Sequence, residues 1–259
     1  MRFPIATLVL AAAILAPYFF QSQGTLYLPN EVISENAFSF NQAGALFSHM
    51  FYHVGAYHLL GNLLPLLLFI FLLEQSLSWL DTISLFLFSG FFASAMFSLI
   101  NPSSFLIGAS AGLSGVMAAA MMLNPSRAIP LLIAAPLITY AAIFPLVTAM
   151  NQQQAESFAS ETSALKEQIT AFEDAGLTEE AEAARQGLEK TEEKVRVVVE
   201  GQEREHATHT DLFVHAYGAL FAAAYLLAFK KDAVYRGLLE FNSLRVRVRN
   251  FFNKPDQNV

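Results

Sequence analysis

A serine sits between two glycines in Gly112-Leu113-Ser114-Gly115-Val116, inside an otherwise apolar run. A hydroxyl there can act as a nucleophile if a base reaches it, and histidine titrates in the useful range. The candidate base is His215, in His215-Ala216-Tyr217-Gly218, where Gly218 would let one helix come close to another. Gly112 and Gly115 strip side chains from around Ser114 in the same way. An oxyanion developing beside Ser114 needs donors. His58 and Asn62 are four positions apart, share one helix face and offer an imidazole N–H and an amide NH2. A helix starting near Gly108–Ala111 adds free backbone N–H groups close to Ser114.

Each of these features has a plainer reading. Glycines around a serine make an ordinary small-residue packing face in membrane helices. A lone histidine near the headgroups is common. Asp211, four residues before His215, could orient the imidazole, but an acid at a helix N-terminus is favoured without any catalytic role. His49 and His53 are also four apart, a spacing that binds zinc, yet no carboxylate or third ligand stands at a matching position and there is no His-Glu-x-x-His. A metal-binding or transport protein using His49, His53, His206, His209 and the acidic residues is the rival chemistry.

The elements that must position these groups are membrane helices. Of 259 residues 54% are hydrophobic and only 14% charged, too few charges for a soluble domain of this size. No Lys or Arg lies between Arg2 and Arg127. Apolar runs at 3–20, 56–73, 79–100, 107–123, 129–149 and 210–229 predict six spans in an all-α bundle, with Asn124-Pro125-Ser126-Arg127 as a clear breaker. The first run competes with a cleaved signal peptide, but Pro17-Tyr18-Phe19-Phe20 stands where a small-residue cleavage site would be. The tail after Phe229 holds seven Lys or Arg against three acids, which places both termini in the cytoplasm and the polar loop 23–48 outside. The net charge of −7 arises from one segment and carries no nucleic-acid signal. With no cysteine there is no disulfide framework and no thiol chemistry.

That segment, 150–207, holds fourteen acids and six bases. Phe158, Leu165, Ile169 and Phe172 recur at helical spacing, and after Asp174-Ala175-Gly176 so do Leu177, Ala181, Ala184, Leu188, Val195 and Val199. The pattern predicts an extracytoplasmic helical hairpin inserted between spans five and six, either a solvated decoration or an arm that affects substrate access. The chain therefore divides into spans one to five (1–149), the acidic insertion (150–207), span six (208–229) and a basic tail (230–259). The tail mixes apolar and basic residues, as an interfacial segment or a stop-transfer flank does.

Taken in order, the three motifs resemble those of the rhomboid intramembrane serine proteases. Gly112-Leu113-Ser114-Gly115-Val116 is similar to the family's nucleophile motif, His215-x-x-Gly218 to its general-base motif, and His53-x4-His58-x3-Asn62 to its span-two motif. Glu74 stands where the family often has a structural glutamate. The resemblance covers about 45–125 and 208–229 together with the six-span plan. It implies a Ser114–His215 dyad without an obligatory aspartate and an oxyanion held by the Ser114 N–H, His58 and Asn62. It implies His53, Gly112, Gly115 and Gly218 in supporting places, and transmembrane protein substrates in a lipid bilayer. It implies no metal or organic cofactor. Three departures accompany it. Gly44-Ala45 replaces a Trp-Arg pair, Ala118 replaces an aromatic that stacks on the catalytic histidine, and the usually short fifth loop has become the acidic insertion. A catalytically silent relative that binds membrane proteins is the alternative within the same resemblance.

Overall fold

The computed structural model describes residues 3–207 and 212–252, and all its regular elements are helical. The long apolar runs become helices because a chain in hydrocarbon must satisfy every backbone N–H and C=O within itself. These are α1 (Ile5–Gln21), α3 (Ala56–Leu73), α4 (Trp79–Ile100), α5 (Ser110–Leu123), α6 (Pro125–Ile138) and α9 (Leu212–Phe229), with a short α2 (Asn30–Asn36) in the first loop. Helices α3, α4, α9 and the stretch Pro125–Asp174 are long and apolar enough to cross a membrane, whereas α1 and α5 are shorter apolar helices. Large side chains such as Phe20, Phe88, Leu99, Ile133 and Leu220 point outward, a surface that only lipid would cover without cost.

The core is built where small residues let helices approach. Helix α5 lies at the centre, packed on α3, α4 and α9. A Cβ at Gly112 would sit 2.7 Å from the Phe86 carbonyl oxygen of α4, and one at Gly115 would overlap Ser89 of the same helix. Leu66, Phe69, Ile70, Phe86, Val116 and Leu226 fill the space between.

Polar bonds gather at the two ends of the bundle. At one end Glu74, the C-cap of α3, accepts from the backbone N–H groups of Ala6 (2.7 Å) and Thr7 (3.1 Å) and from the Thr7 hydroxyl (2.7 Å). Pro4, the N-cap of α1, has no side chain able to do this. At the same end Lys230 pairs with Asp81 at 2.7 Å, Tyr225 donates to that carboxylate, and Ser76 donates to Asn124. At the other end residues 26–28 lie beside 54–56: Ala56 N–H donates to Leu26 O (2.9 Å) and Leu28 N–H to Val54 O (3.0 Å).

The apolar run 129–149 does not end its helix where it ends. Helix α6 passes through a π-helical turn, Thr139–Ile143, into α7 (Phe144–Asp174), so the acidic segment continues the same rod. Gly176, at φ +70°, turns the chain, and α8 (Thr178–Ala207) folds back along α7. The pairs Glu173–Arg185, Leu165–Gly187 and Lys166–Glu192 set that register. The inward stripe differs from the expected one beyond Leu188. Ala181, Ala184, Thr191, Val197 and Val198 are buried, whereas Val195 and Val199 are exposed. Thr191 takes a core position, so following only apolar residues shifts the reading off the face. The tail after Lys230 forms a final amphipathic helix, α10 (Lys231–Phe252), with Leu238, Val248 and Phe251 exposed among its arginines. Its Gly237 lies against the backbone of Met122, and its Glu240 accepts from Ser126.

Candidate active site

The candidate nucleophile lies in the second turn of α5, half-buried, as the fifth residue of the helix that starts at Ser110. Its hydroxyl donates to Ala111 O at 2.7 Å. Helix α9 crosses close to α5 here. A Cβ on Gly218 would overlap the Ser114 Oγ and stand 2.5 Å from Ala111 O, while one on Gly115 would come within 3.0 Å of the Gly218 carbonyl oxygen. Only glycine permits this seam. His215, half-buried, stands three residues before Gly218 on the same helix, one turn nearer the polar end. Asp211, considered above as a third member, and His209 lie outside the described residues.

The second wall comes from the first loop and α3. Gly108, at φ +106°, leads into α5, and its open face holds the His58 ring: a Cβ there would be 2.6 Å from His58 Nε2. Both the backbone angle and the contact require glycine at this position. His53 is fully buried beside it, its ring 5.0 Å from that of His58 and tilted 71°. Its Nε2 accepts from the Ala109 N–H at 3.2 Å, capping α5 and assigning the ring proton to Nδ1. Asn62 is buried one turn along α3 from His58 and donates to the His58 carbonyl oxygen at 3.0 Å, which leaves its second amide hydrogen for another acceptor. Glycines 108, 115 and 218 thus bring α3, α5 and α9 around the start of α5.

His49 is used differently. Its Nδ1 lies 3.1 Å from Ala45 O and its Nε2 2.8 Å from the Ser94 hydroxyl, so both nitrogens are engaged. Burial holds it down to about 4, and burial keeps His53 well below the usual imidazole range, so both are neutral props at physiological pH. Among the described residues no three His, Asp or Glu side chains gather as a metal-binding group.

Residues 41–160 match the Rhomboid domain family. The chain carries a rhomboid domain. No curated protein and no solved structure matches the chain. The rhomboid match takes in His49, His53, His58, Asn62 and the α5 glycines and runs into the first arm of the insertion, stopping before α8 and α9. By this domain and its apolar helices the chain is a multi-pass membrane protein. One group near the site escaped sequence reasoning: Glu205, in the acidic α8, accepts from the His58 N–H at 2.8 Å. The missed signal was spacing, since Ala181, Ala184, Leu188, Thr191, Val198, Gly201 and Glu205 follow one helix face.

Proposed function

We propose that this rhomboid-family protein is an intramembrane serine protease that cuts transmembrane segments with Ser114 as nucleophile and His215 as base. The observation that carries the reading is the glycine seam, in which Gly218 abuts the Ser114 hydroxyl and α9 holds His215 one turn away. Ser114 Oγ attacks the scissile carbonyl carbon while its proton passes to His215. The oxyanion is held by the Ser114 N–H, His58 and Asn62. His215 returns the proton to the leaving amine as the peptide bond breaks, then takes one from the water that releases the acyl group. The reading includes six crossings and the division of the chain made above. The basic end, with Arg127, Lys230 and Arg236, faces the cytoplasm, and the insertion stands outside above the active site. An apolar cavity of about 380 Å3 between α3 and the π-turn, lined by Tyr57, Gly61, Met117, Pro136 and Tyr140, offers room for part of a substrate helix beside α5.

Cleavage of a transmembrane substrate in liposomes tests this. Ser114→Ala and His215→Ala are expected to abolish it while the protein still inserts, and cleavage surviving in both overturns the mechanism. The second reading, a catalytically silent binder of membrane proteins, is favoured by the Ser114 hydroxyl donating to Ala111 within its own helix. A fluorophosphonate probe separates the two, because only an activated Ser114 is labelled.

A further inference from the structure

Helix α3 begins with a defect. Its N-cap is Gly55, which has no side chain to accept from the first-turn N–H groups. Glycine is required there, since a Cβ would stand 2.6 Å from the Tyr27 ring. Left alone, the first-turn donors would lack a fixed protein partner next to the candidate oxyanion site.

The loop and the insertion supply what Gly55 cannot. The Ala56 N–H is taken by Leu26 O, and the His58 N–H by Glu205 Oε1 at 2.8 Å, a carboxylate 147 residues away. A charge-assisted bond to an anion at a helix N-terminus is the strong form of such a cap. Glu205 is itself held. The Tyr27 hydroxyl hydrogen-bonds to it, and Asn151 of α7 donates to that hydroxyl at 2.8 Å. Burial and the Glu205 charge push Tyr27 up to about 12, so its hydroxyl keeps the proton it donates. The Tyr27 ring is wedged between Gly55 and Gly201 of α8, where a Cβ on either would collide with it. Tyr27 also packs with Phe158, Val197 and Val198, at the joint where both arms meet the loop. Gln154 bonds Leu26 N–H and Gly24 O, and Arg204 donates to Leu28 O at 3.2 Å.

We infer that the acidic insertion positions the oxyanion site, with Glu205 as a positioning residue that fixes the first turn of α3 and thereby the His58 side chain. This rests on the reading of His58 as an oxyanion donor. The insertion thus acts through α3 rather than as a cover over the opening. The chain Asn151–Tyr27–Glu205–His58 links both arms, the first loop and α3.

The full-length protein in liposomes tests this, with steady-state cleavage of a transmembrane substrate and amide hydrogen exchange measured on the same preparations. Glu205→Ala is expected to lower kcat about tenfold with KM within about twofold, as loss of one charged hydrogen bond near the site would. Glu205→Gln, whose amide oxygen still accepts from the His58 N–H, is expected to recover most of that loss. Exchange at residues 56–59 rises in Glu205→Ala and stays near the parent in Glu205→Gln. Tyr27→Phe, which keeps the wedge and removes only the hydroxyl, is the milder variant should Glu205→Ala not fold, with a kcat loss of about threefold. An unchanged kcat in Glu205→Ala and Tyr27→Phe, or a rise in KM alone, overturns the inference. So does a kcat loss without faster exchange at 56–59. If Ser114→Ala cleaves like the parent, the protease reading has failed instead, and the exchange result still reports on the cap.

Discussion

Among the helices that start without a side-chain cap of their own, two borrow a glutamate from the end of another helix. Helix α1 opens on Pro4 and takes Glu74 from the end of α3; α3 opens on Gly55 and takes Glu205 from near the end of α8. The chemistry is the same, but the settings differ. Glu74 is buried to 5% exposure and serves three donors within the bundle. Glu205 serves α3 from the foot of a solvated arm and shares its load with Tyr27. A dry helix end makes its cap a condition of folding. A wetter end, where water can take over a lost bond, leaves the cap free to serve geometry instead.

The strongest way to break this comparison is Glu74→Ala, which strands the Ala6 and Thr7 donors in the bundle. It is expected to cost about 3 kcal/mol or more, read as a lowered unfolding midpoint in detergent. If Glu205→Ala costs as much global stability as Glu74→Ala, the distinction between a folding cap and a positioning cap falls. Next comes the glycine seam between α5 and α9. Gly218→Ala would drive a methyl into the Ser114 Oγ and is expected to cut cleavage about a hundredfold with the protein still inserted, since the two helices must part. Wild-type turnover in that variant would show that the seam does not hold the dyad.

Acid probes the dry setting from another side. The usual imidazole value is 6.5 and burial lowers His49 to about 4, so between these the unfolded chain binds a proton that the folded chain does not. Stability is therefore full above about pH 6.5 and falls as pH drops toward 4, by about 1.4 kcal/mol per unit for this group. A thermal midpoint flat from pH 7 to pH 4.5 would contradict His49 as a buried neutral prop. The smallest effect belongs to the outer arm. Arg185→Ala removes surface pairs with Glu173 and Glu182, whose side chains are half exposed, and is expected to change stability by less than about 0.5 kcal/mol.

Legibility followed the same division. Glu74 stands out in the sequence because it is a lone acid at the end of an apolar run; Glu205 is one of fourteen acids in its segment and carries no such mark. The runs 56–73 and 79–100 coincide with α3 and α4, since hydropathy and length act within each run. The apolar run marks only 129–149, yet the helix continues to Asp174, because a change of solvent from lipid to water need not break backbone hydrogen bonds. Past Leu188 the arm's inward face departs from the apolar pattern because Thr191 holds a core position that composition assigns to the surface. Of the histidines offered as a rival metal pair, His49 turns out to be bonded to Ala45 and Ser94, partners that its spacing from His53 does not reveal.

By itself the sequence determined that this is a helical membrane chain with a distinct acidic segment, and it singled out a small set of serine, histidines, asparagine and glycines. Those are properties of composition and of spacing along single helices, where neighbours in the chain are neighbours in space. Which glycine admits which helix, that His53 caps α5, and that a glutamate 147 residues away closes the start of α3 were decided only by the tertiary structure. Orphan N–H groups and missing Cβ atoms mark where a partner is needed, but the packing of the whole bundle chooses which residue arrives there.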